Sequence, residues 1–213
     1  ELTLSIKADK IDTSVKTNAG WKTSLAGLKE WSVSLDCVTY FGDQAAGQRA
    51  IRQAAVEGKN IDVVVAVGDE EVYAGKASIS GLDISGPMSD VSMSSFSLDG
   101  ASALSCEFAP EYVSAAIDVE KKVVTLTFDA TVLSNAANSA ALKAAVTVAT
   151  DGTTYAALGA SDTVAVADGK LVVTFDAALT TATNKIKVAA RTLKTTNGAI
   201  QTVEQTTGVI SAQ

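Results

Sequence analysis

The stretch Trp31-Ser32-Val33-Ser34-Leu35-Asp36-Cys37-Val38-Thr39 alternates apolar and polar residues with a period of two. Successive side chains of an extended backbone point to opposite faces, so Trp31, Val33, Leu35 and Cys37 share one side and Ser32, Ser34 and Asp36 the other. A strand of this kind belongs in an antiparallel sheet with one face buried and one face wet. Working outward, Ile61–Val67 is a nearly continuous β-branched run, Gly68-Asp69-Glu70-Glu71 is a turn, and residues 72–82 return as a strand, which together predict a hairpin. Residues 91–98 read as a further strand whose apolar parity changes, Val91 and Met93 being odd and Phe96 and Leu98 even. A β-bulge near Ser94-Ser95 is therefore expected.

One helix is expected between these strands, over residues 44–57. Asp43 is placed to cap its start, Ala46, Ala50, Ile51, Ala54 and Ala55 make a narrow apolar stripe, and Gly58 stands where a left-handed C-terminal cap belongs. After Gly86-Pro87 breaks the chain, residues 98–110, with Gly100 and Pro110, read as a link between two domains. A chain of 213 residues that is 47% hydrophobic has enough apolar surface for a core in each half.

Beyond the link the chain changes character. There is no Trp between residues 105 and 213, and short strands recur with the turn signals Asp151-Gly152, Asp168-Gly169 and Asn197-Gly198, the pattern of a β-sandwich. The strand at residues 124–130 echoes that at 171–177, and the expected reading is two similar strands, one in each sheet. The predicted organisation is thus mainly β, with a domain at 1–104 carrying the helix and a sandwich at 105–213. Residues 1–104 hold 9 basic and 14 acidic side chains against 8 and 10 in the remainder, so the acidic bias sits in the first domain.

The inventory excludes several chemistries. The chain has no histidine, which removes Ser-His-Asp triads, Cys-His dyads and imidazole metal sites. Cys37 and Cys106 are far apart and form no CxxC pair. The acids Asp69, Glu70 and Glu71 are expected to form a solvated turn, and Asp129 and Asp176, each following a Phe at a strand end, to accept backbone hydrogen bonds. The glycines make neither a GxGxxG nor a GxxxxGK[ST] pattern, and no serine lies in a GxSxG elbow. No catalytic residue, metal site or cofactor is expected, and an enzyme is not. A net charge of −7 repels phosphate backbones, so specific nucleic-acid binding is not expected either. No run approaches the ~18 apolar residues of a membrane span, and the expectation is a soluble, unexported chain, with a leader lost before Glu1 left open.

With these elements in order, the first half becomes recognisable. Trp21, Leu25-Ala26-Gly27, the string Trp31 to Asp36, one helix, the hairpin through Tyr73-Ala74-Gly75-Lys76-Ala77-Ser78-Ile79, and Phe96-Ser97-Leu98-Asp99-Gly100 together resemble the major tail (tail tube) proteins of long-tailed bacteriophages. The second half, through Ala109-Pro110, Leu126-Thr127-Phe128-Asp129 and Lys185-Ile186-Lys187-Val188, resembles a bacterial immunoglobulin-like domain. The resemblance implies a tail-tube β-sandwich or barrel domain followed by an immunoglobulin-like decoration domain on the exterior. It also implies a virion protein made in the host bacterial cytoplasm, whose subunits form hexameric rings stacked into a tube. Tape measure protein and tail terminator or tip proteins would be its partners. No membrane partner is implied, and the outer domain would make at most weak contact with cell-surface glycan.

Double-stranded DNA would pass through without specific binding. On the strands, Ser32, Ser34, Asp36, Lys76, Ser78, Ser80, Asp90 and Ser92 are read on the sides opposite the apolar residues, and the resemblance makes them candidates to line the lumen. Lys76 is the exception there and is expected to pair with an acid or turn away. Trp21, in an expected long loop over residues 9–30, is the candidate inter-ring contact, or else packs on its own domain. Two other readings stay open: a secreted adhesin or surface-layer protein, and the inner tube of a contractile injection system.

Overall fold

The alternating stretch lies in the second strand of the first sheet, next to its edge. A computed structural model describes residues 1–13, 23–39, 47–86, 92–179 and 184–210. The chain is mainly β and divides into two units: Glu1–Val65 with Ala74–Ser105, and Ala66–Tyr73 with Cys106–Gln213.

The first sheet is built from β1 (Leu2–Asp12), β2 (Ser24–Val38), β3 (Ile61–Val67), β4 (Glu71–Ser85), β5 (Met93–Gly100) and β6 (Ser105–Phe108). Its order is β1-β2-β5-β4-β3, with β6 also pairing β4. The path has two ends, so among the described residues this is an open sheet whose edges are β1 and β3. The alternation in β2 holds: Trp31 and Val33 are buried, Leu35 and Cys37 half-buried, and Ser34 and Asp36 exposed. Facing the same side from β5 are Ser94, Phe96 and Leu98, all buried.

Trp31 explains two glycines. Its indole Nε1 donates to Ser102 O at 2.7 Å, which fixes the ring. A Cβ on Gly100 would lie 2.4 Å from Nε1, and one on Gly75 would lie 2.7 Å from Cζ2. Both strands must therefore present bare backbone for the ring to lie on.

Several expectations are corrected here. The span 9–30 is no loop at its ends: residues up to Asp12 belong to β1 and those from Ser24 to β2, paired from Leu2↔Leu35 to Asp12↔Ser24. The bulge is in β4, between Ile79 and Gly81. β5 pairs with β2 without interruption from Met93 to Asp99, because Met93 belongs to the polar face and Ser94 to the buried one. Ser94 is tolerated there because its hydroxyl and that of Thr39 hydrogen-bond at 2.6 Å. The supposed link 98–110 contains the end of β5 and all of β6.

The helix α1 (Gln48–Glu57) starts later than residue 44, at Gly47, whose φ of 70° suits glycine and which makes no side-chain cap. Asp43 and Ala46 lie outside the described residues. Gly58 closes the helix in the left-handed conformation at φ 65°, as expected. Ala54 is buried and Ala50 is exposed. Gln48 Nε2 donates to Val38 O at 2.7 Å and to Cys37 Sγ at 3.3 Å, which sets the first turn of α1 beside Cys37, on the apolar side of β2.

The second unit contains β7 (Tyr112–Ile117), β8 (Val123–Phe128), β9 (Val132–Ser134), α2 (Ser139–Ala144), β10 (Val146–Ala149), β11 (Ala156–Ala157), β12 (Thr163–Ala167), β13 (Lys170–Thr174), β14 (Lys185–Val188), β15 (Leu193–Thr195) and β16 (Gln205–Thr206). Two four-stranded sheets, β12-β13-β8-β7 and β11-β10-β14-β16, accompany the β15-β9 pair. Leu126, Leu171 and Val173 from one sheet and Val146, Ile186 and Val188 from the other belong to a single buried cluster, the core of a sandwich. The turn Asp168-Gly169 has positive φ at both residues, 50° and 71°, as a two-residue hairpin joining β12 to β13 requires. The echoing strands β8 and β13 are not in separate sheets. They are neighbours in one, Leu171 opposite Leu126 and Val173 opposite Val124, and the likeness reflects two central strands burying the same face.

Candidate functional site

The polar face of the first sheet is organised into cross-strand rows. One runs Ser5, Ser32, Asp99, Ser78 across β1, β2, β5 and β4. The next runs Thr3, Ser34, Ser97, Gly81, and a third Asp36, Ser95, Asp83. At one end the face turns apolar, with Val38 opposite Met93. Hydroxyls on β4 turn down onto the sheet, Ser78 Oγ donating to Asp99 O at 3.4 Å and Ser80 Oγ to Ser97 O at 3.2 Å.

Two lysines stand on this face among the described residues. Lys76 Nζ lies 2.7 Å from Asp62 Oδ1 on β3, and Lys7 on β1 is directly opposite Glu30 on β2, with Nζ 4.0 Å from Oε1. The face therefore carries the carboxylates Glu30, Asp36, Asp62, Asp83 and Asp99 against two lysines, each of which already has a carboxylate partner.

Of the residues singled out from sequence, Ser32, Ser34, Asp36, Lys76 and Ser78 fall together on this face, with Ser80 in the β4 bulge beside them. Ser92 does not: it precedes β5, Thr39 N donates to its carbonyl at 2.7 Å, and the alternation of Ser94, Phe96 and Leu98 puts it on the apolar side. Asp90 and Trp21 lie outside the described residues. Sequence reasoning passed over Thr3, Ser5, Lys7, Glu30, Asp62, Asp83, Ser95, Ser97 and Asp99. For Thr3, Ser5, Lys7, Ser95, Ser97 and Asp99 the signal is present in the alternation of Leu2-Thr3-Leu4-Ser5-Ile6-Lys7 and of Ser95-Phe96-Ser97-Leu98-Asp99.

The acidic turn is more than a solvated loop. Within the second unit, Arg191 Nη1 pairs with Asp69 Oδ2, Thr202 Oγ1 donates to Glu70 Oε1, and Tyr73 OH donates to Glu71 Oε1. The backbone N–H groups of Ile200 and Ala109 donate to the carbonyls of Asp69 and Glu70, both at 2.6 Å. The hydrogen bond to Glu71 pushes the Tyr73 phenol up to about 12. Asp129 Oδ1 accepts from Glu111 N at 2.8 Å, the turn role expected of it. At the tip of another turn, the backbone N–H groups of Thr154 and Thr153 hold the Asp151 carboxyl well below the usual carboxylate range.

The strand face is serine-rich and net acidic, with the Ser78 and Ser80 hydroxyls of β4 folded onto the backbone of β5. Residues 1–106 match the family described as phage tail tube protein. Solved structures similar to the chain include one from the virion of a native gene transfer agent particle, at 24% identity and a TM-score of 0.45, covering 50% of this chain and 82% of that one. Another is from the tail of an empty gene transfer agent particle with C6 symmetry, at 25% identity and a TM-score of 0.45, covering 49% and 78%. No curated protein matches the chain.

Proposed function

Residues 1–106 belong to the phage tail tube protein family, and from that we propose that the chain is the repeating subunit of a virion tail tube, assembled as stacked hexameric rings. The observation that carries the reading is the open sheet. Its two edge strands, β1 and β3, have unpaired backbone groups, its helix stands on the apolar side, and its other side is polar. Exposed edges of this kind invite pairing with another chain, and pairing with identical neighbours around an axis satisfies them in a closed ring. Six sheets joined in this way make one barrel whose serine and aspartate rows, with Ser32, Ser34, Asp36, Lys76, Ser78 and Ser80 among them, line a bore. Head-to-tail stacking of rings then propagates into a tube.

The bore conducts duplex DNA. A wall with an excess of fixed carboxylate repels phosphate, and the Ser78 and Ser80 hydroxyls, already bonded to backbone, make few lasting contacts with it. Trp21, which lies between β1 and β2 in the chain, makes the ring-to-ring contact, and the second unit, as an immunoglobulin-like domain, takes the outer surface of the tube. Tape measure and terminator proteins are the partners that such a tube requires.

Negative-stain electron microscopy of the purified chain at raised concentration tests the reading. Rings and hollow tubes are the expected result, and a chain that stays monomeric at every concentration overturns it. Trp21→Ala is expected to leave rings but shorten or abolish tubes.

A further inference from the structure

Among the described residues of the polar face two lysines stand beside its hydroxyls and carboxylates, and the geometry of each is specific. Lys76 makes a close ion pair with Asp62 on the adjacent edge strand, at 2.7 Å. Lys7 is opposite Glu30 in register, at the outer limit of an ion pair at 4.0 Å. All four side chains are well exposed, between 61% and 79%. Exposed pairs of this kind contribute little to folding, so the stability of the sheet does not explain them.

We infer that Asp62 and Glu30 act as phosphate-excluding residues: they neutralise Lys76 and Lys7 in place, so that neither of the two lysines described on this face is left free for the phosphates of a passing duplex. The inference rests on the reading of this face as the wall of a DNA conduit, and names the residues that set its indifference to DNA. The physical reason is repetition. One lysine touching one phosphate is a weak, salt-screened contact, adding about 0.9 to the salt slope of binding. In a tube, the same lysine recurs in every subunit of every ring along the duplex. Weak contacts made many times over on one polymer multiply into strong retention, so a single uncovered charge per subunit converts a slippery wall into an adhesive one. Asp36, Asp83 and Asp99, which stand in the rows of the same face, repel the backbone generally. Asp62 and Glu30 answer the two local attractions.

The test uses assembled tubes of the full chain and a short fluorescent DNA duplex, with co-sedimentation read across a salt series. Wild-type tubes are expected to leave the duplex in the supernatant. Asp62→Asn, Glu30→Gln and the double variant each uncover lysine and are expected to raise the retained fraction about tenfold at low salt, with release as salt rises. Adding Lys76→Gln to Asp62→Asn is expected to restore indifference, which a merely structural effect of the asparagine would not do. The single variants keep the test decisive should the double variant fail to assemble. Tubes of Asp62→Asn and Glu30→Gln that ignore the duplex as wild type does overturn the inference alone. A wild-type chain that forms no tubes overturns the conduit reading, and the inference with it.

Discussion

In the second unit both four-stranded sheets turn their apolar faces onto one core, and Val124, Val132, Val146, Leu171, Val173, Ile186 and Leu193 are completely buried there. The first unit has a longer sheet and a thinner core. Trp31, Val33, Phe96 and Leu98 are buried, but the edge strand β1 leaves Leu2 50% and Ile6 53% exposed on their apolar side. The difference shows where each unit finishes its burial. The sandwich completes its core with its own strands, whereas the open sheet, among the described residues, leaves apolar side chains of its β1 edge exposed and edge backbone groups of the kind that invite pairing. A self-sufficient unit and an unfinished one should respond differently to damage, and that contrast can be broken experimentally.

The largest expected effect is on the β1 edge. N–H groups of an antiparallel edge strand point alternately into the ladder and outward, so of the adjacent substitutions Leu4→Pro and Ser5→Pro one removes an internal bond and the other only an outward donor. The outward one should leave circular dichroism and thermal melting unchanged and yet abolish tubes in the microscope. Tubes that persist with both prolines would show that β1 is not a joining edge.

Next in size is the core of the sandwich. Leu171→Ala removes a fully buried side chain and should cost about 2–5 kcal/mol, visible as a lowered melting transition for the second unit. Tube formation by the first unit should survive it at temperatures below that transition. Loss of tubes in parallel with the lost stability would mean that the second unit is needed for assembly rather than carried by it.

A smaller effect separates glycines that are filled from those that are not. Gly100→Ala forces a Cβ against the hydrogen-bonded Trp31 ring and should destabilise the first unit by about 1–3 kcal/mol. Gly208 in the second unit has nothing within 4 Å of where its Cβ would stand, so Gly208→Ala should leave the melting temperature unchanged. Equal responses would mean that the indole is not held against Gly100 by its hydrogen bond to Ser102.

Much of this contrast was legible in the sequence because alternation is local. The faces of β2, the whole of β3, the Gly58 cap and the Asp168-Gly169 turn all follow from residues within a few positions of one another. Features that depend on distant partners were not legible. Asp69 reads as solvated until Arg191 is brought to it across 122 residues. The likeness of β8 and β13 cannot say whether they are neighbours or stand in opposite sheets. Met93 looks like a core residue, but its register opposite Val38 puts it at the apolar end of the polar face. Lys7, Asp9, Lys10 and Asp12 make the second half of β1 read as a loop. Yet the β1–β2 ladder runs through it, with a register shift between Ala8 and Lys10.

The smallest effect concerns the hairpin tip, whose residues Ala66–Tyr73 belong to the second unit. The phenol of Tyr73 is pushed up to about 12, first of all by its hydrogen bond to Glu71, from an ordinary value near 10. A raised phenol value means that the folded state favours the protonated ring. The contribution to stability is therefore fully present below about pH 10 and is lost as pH climbs through 12. Alkaline absorbance titration of the native protein, with the Tyr73→Phe curve subtracted, should show one phenol ionising about two pH units late. Glu71→Ala should bring it back toward about 10. If Tyr73 already ionises near 10 in the native chain, the Glu71 hydrogen bond does not hold in solution, and the acidic turn loses one of the contacts that distinguish it from a free loop.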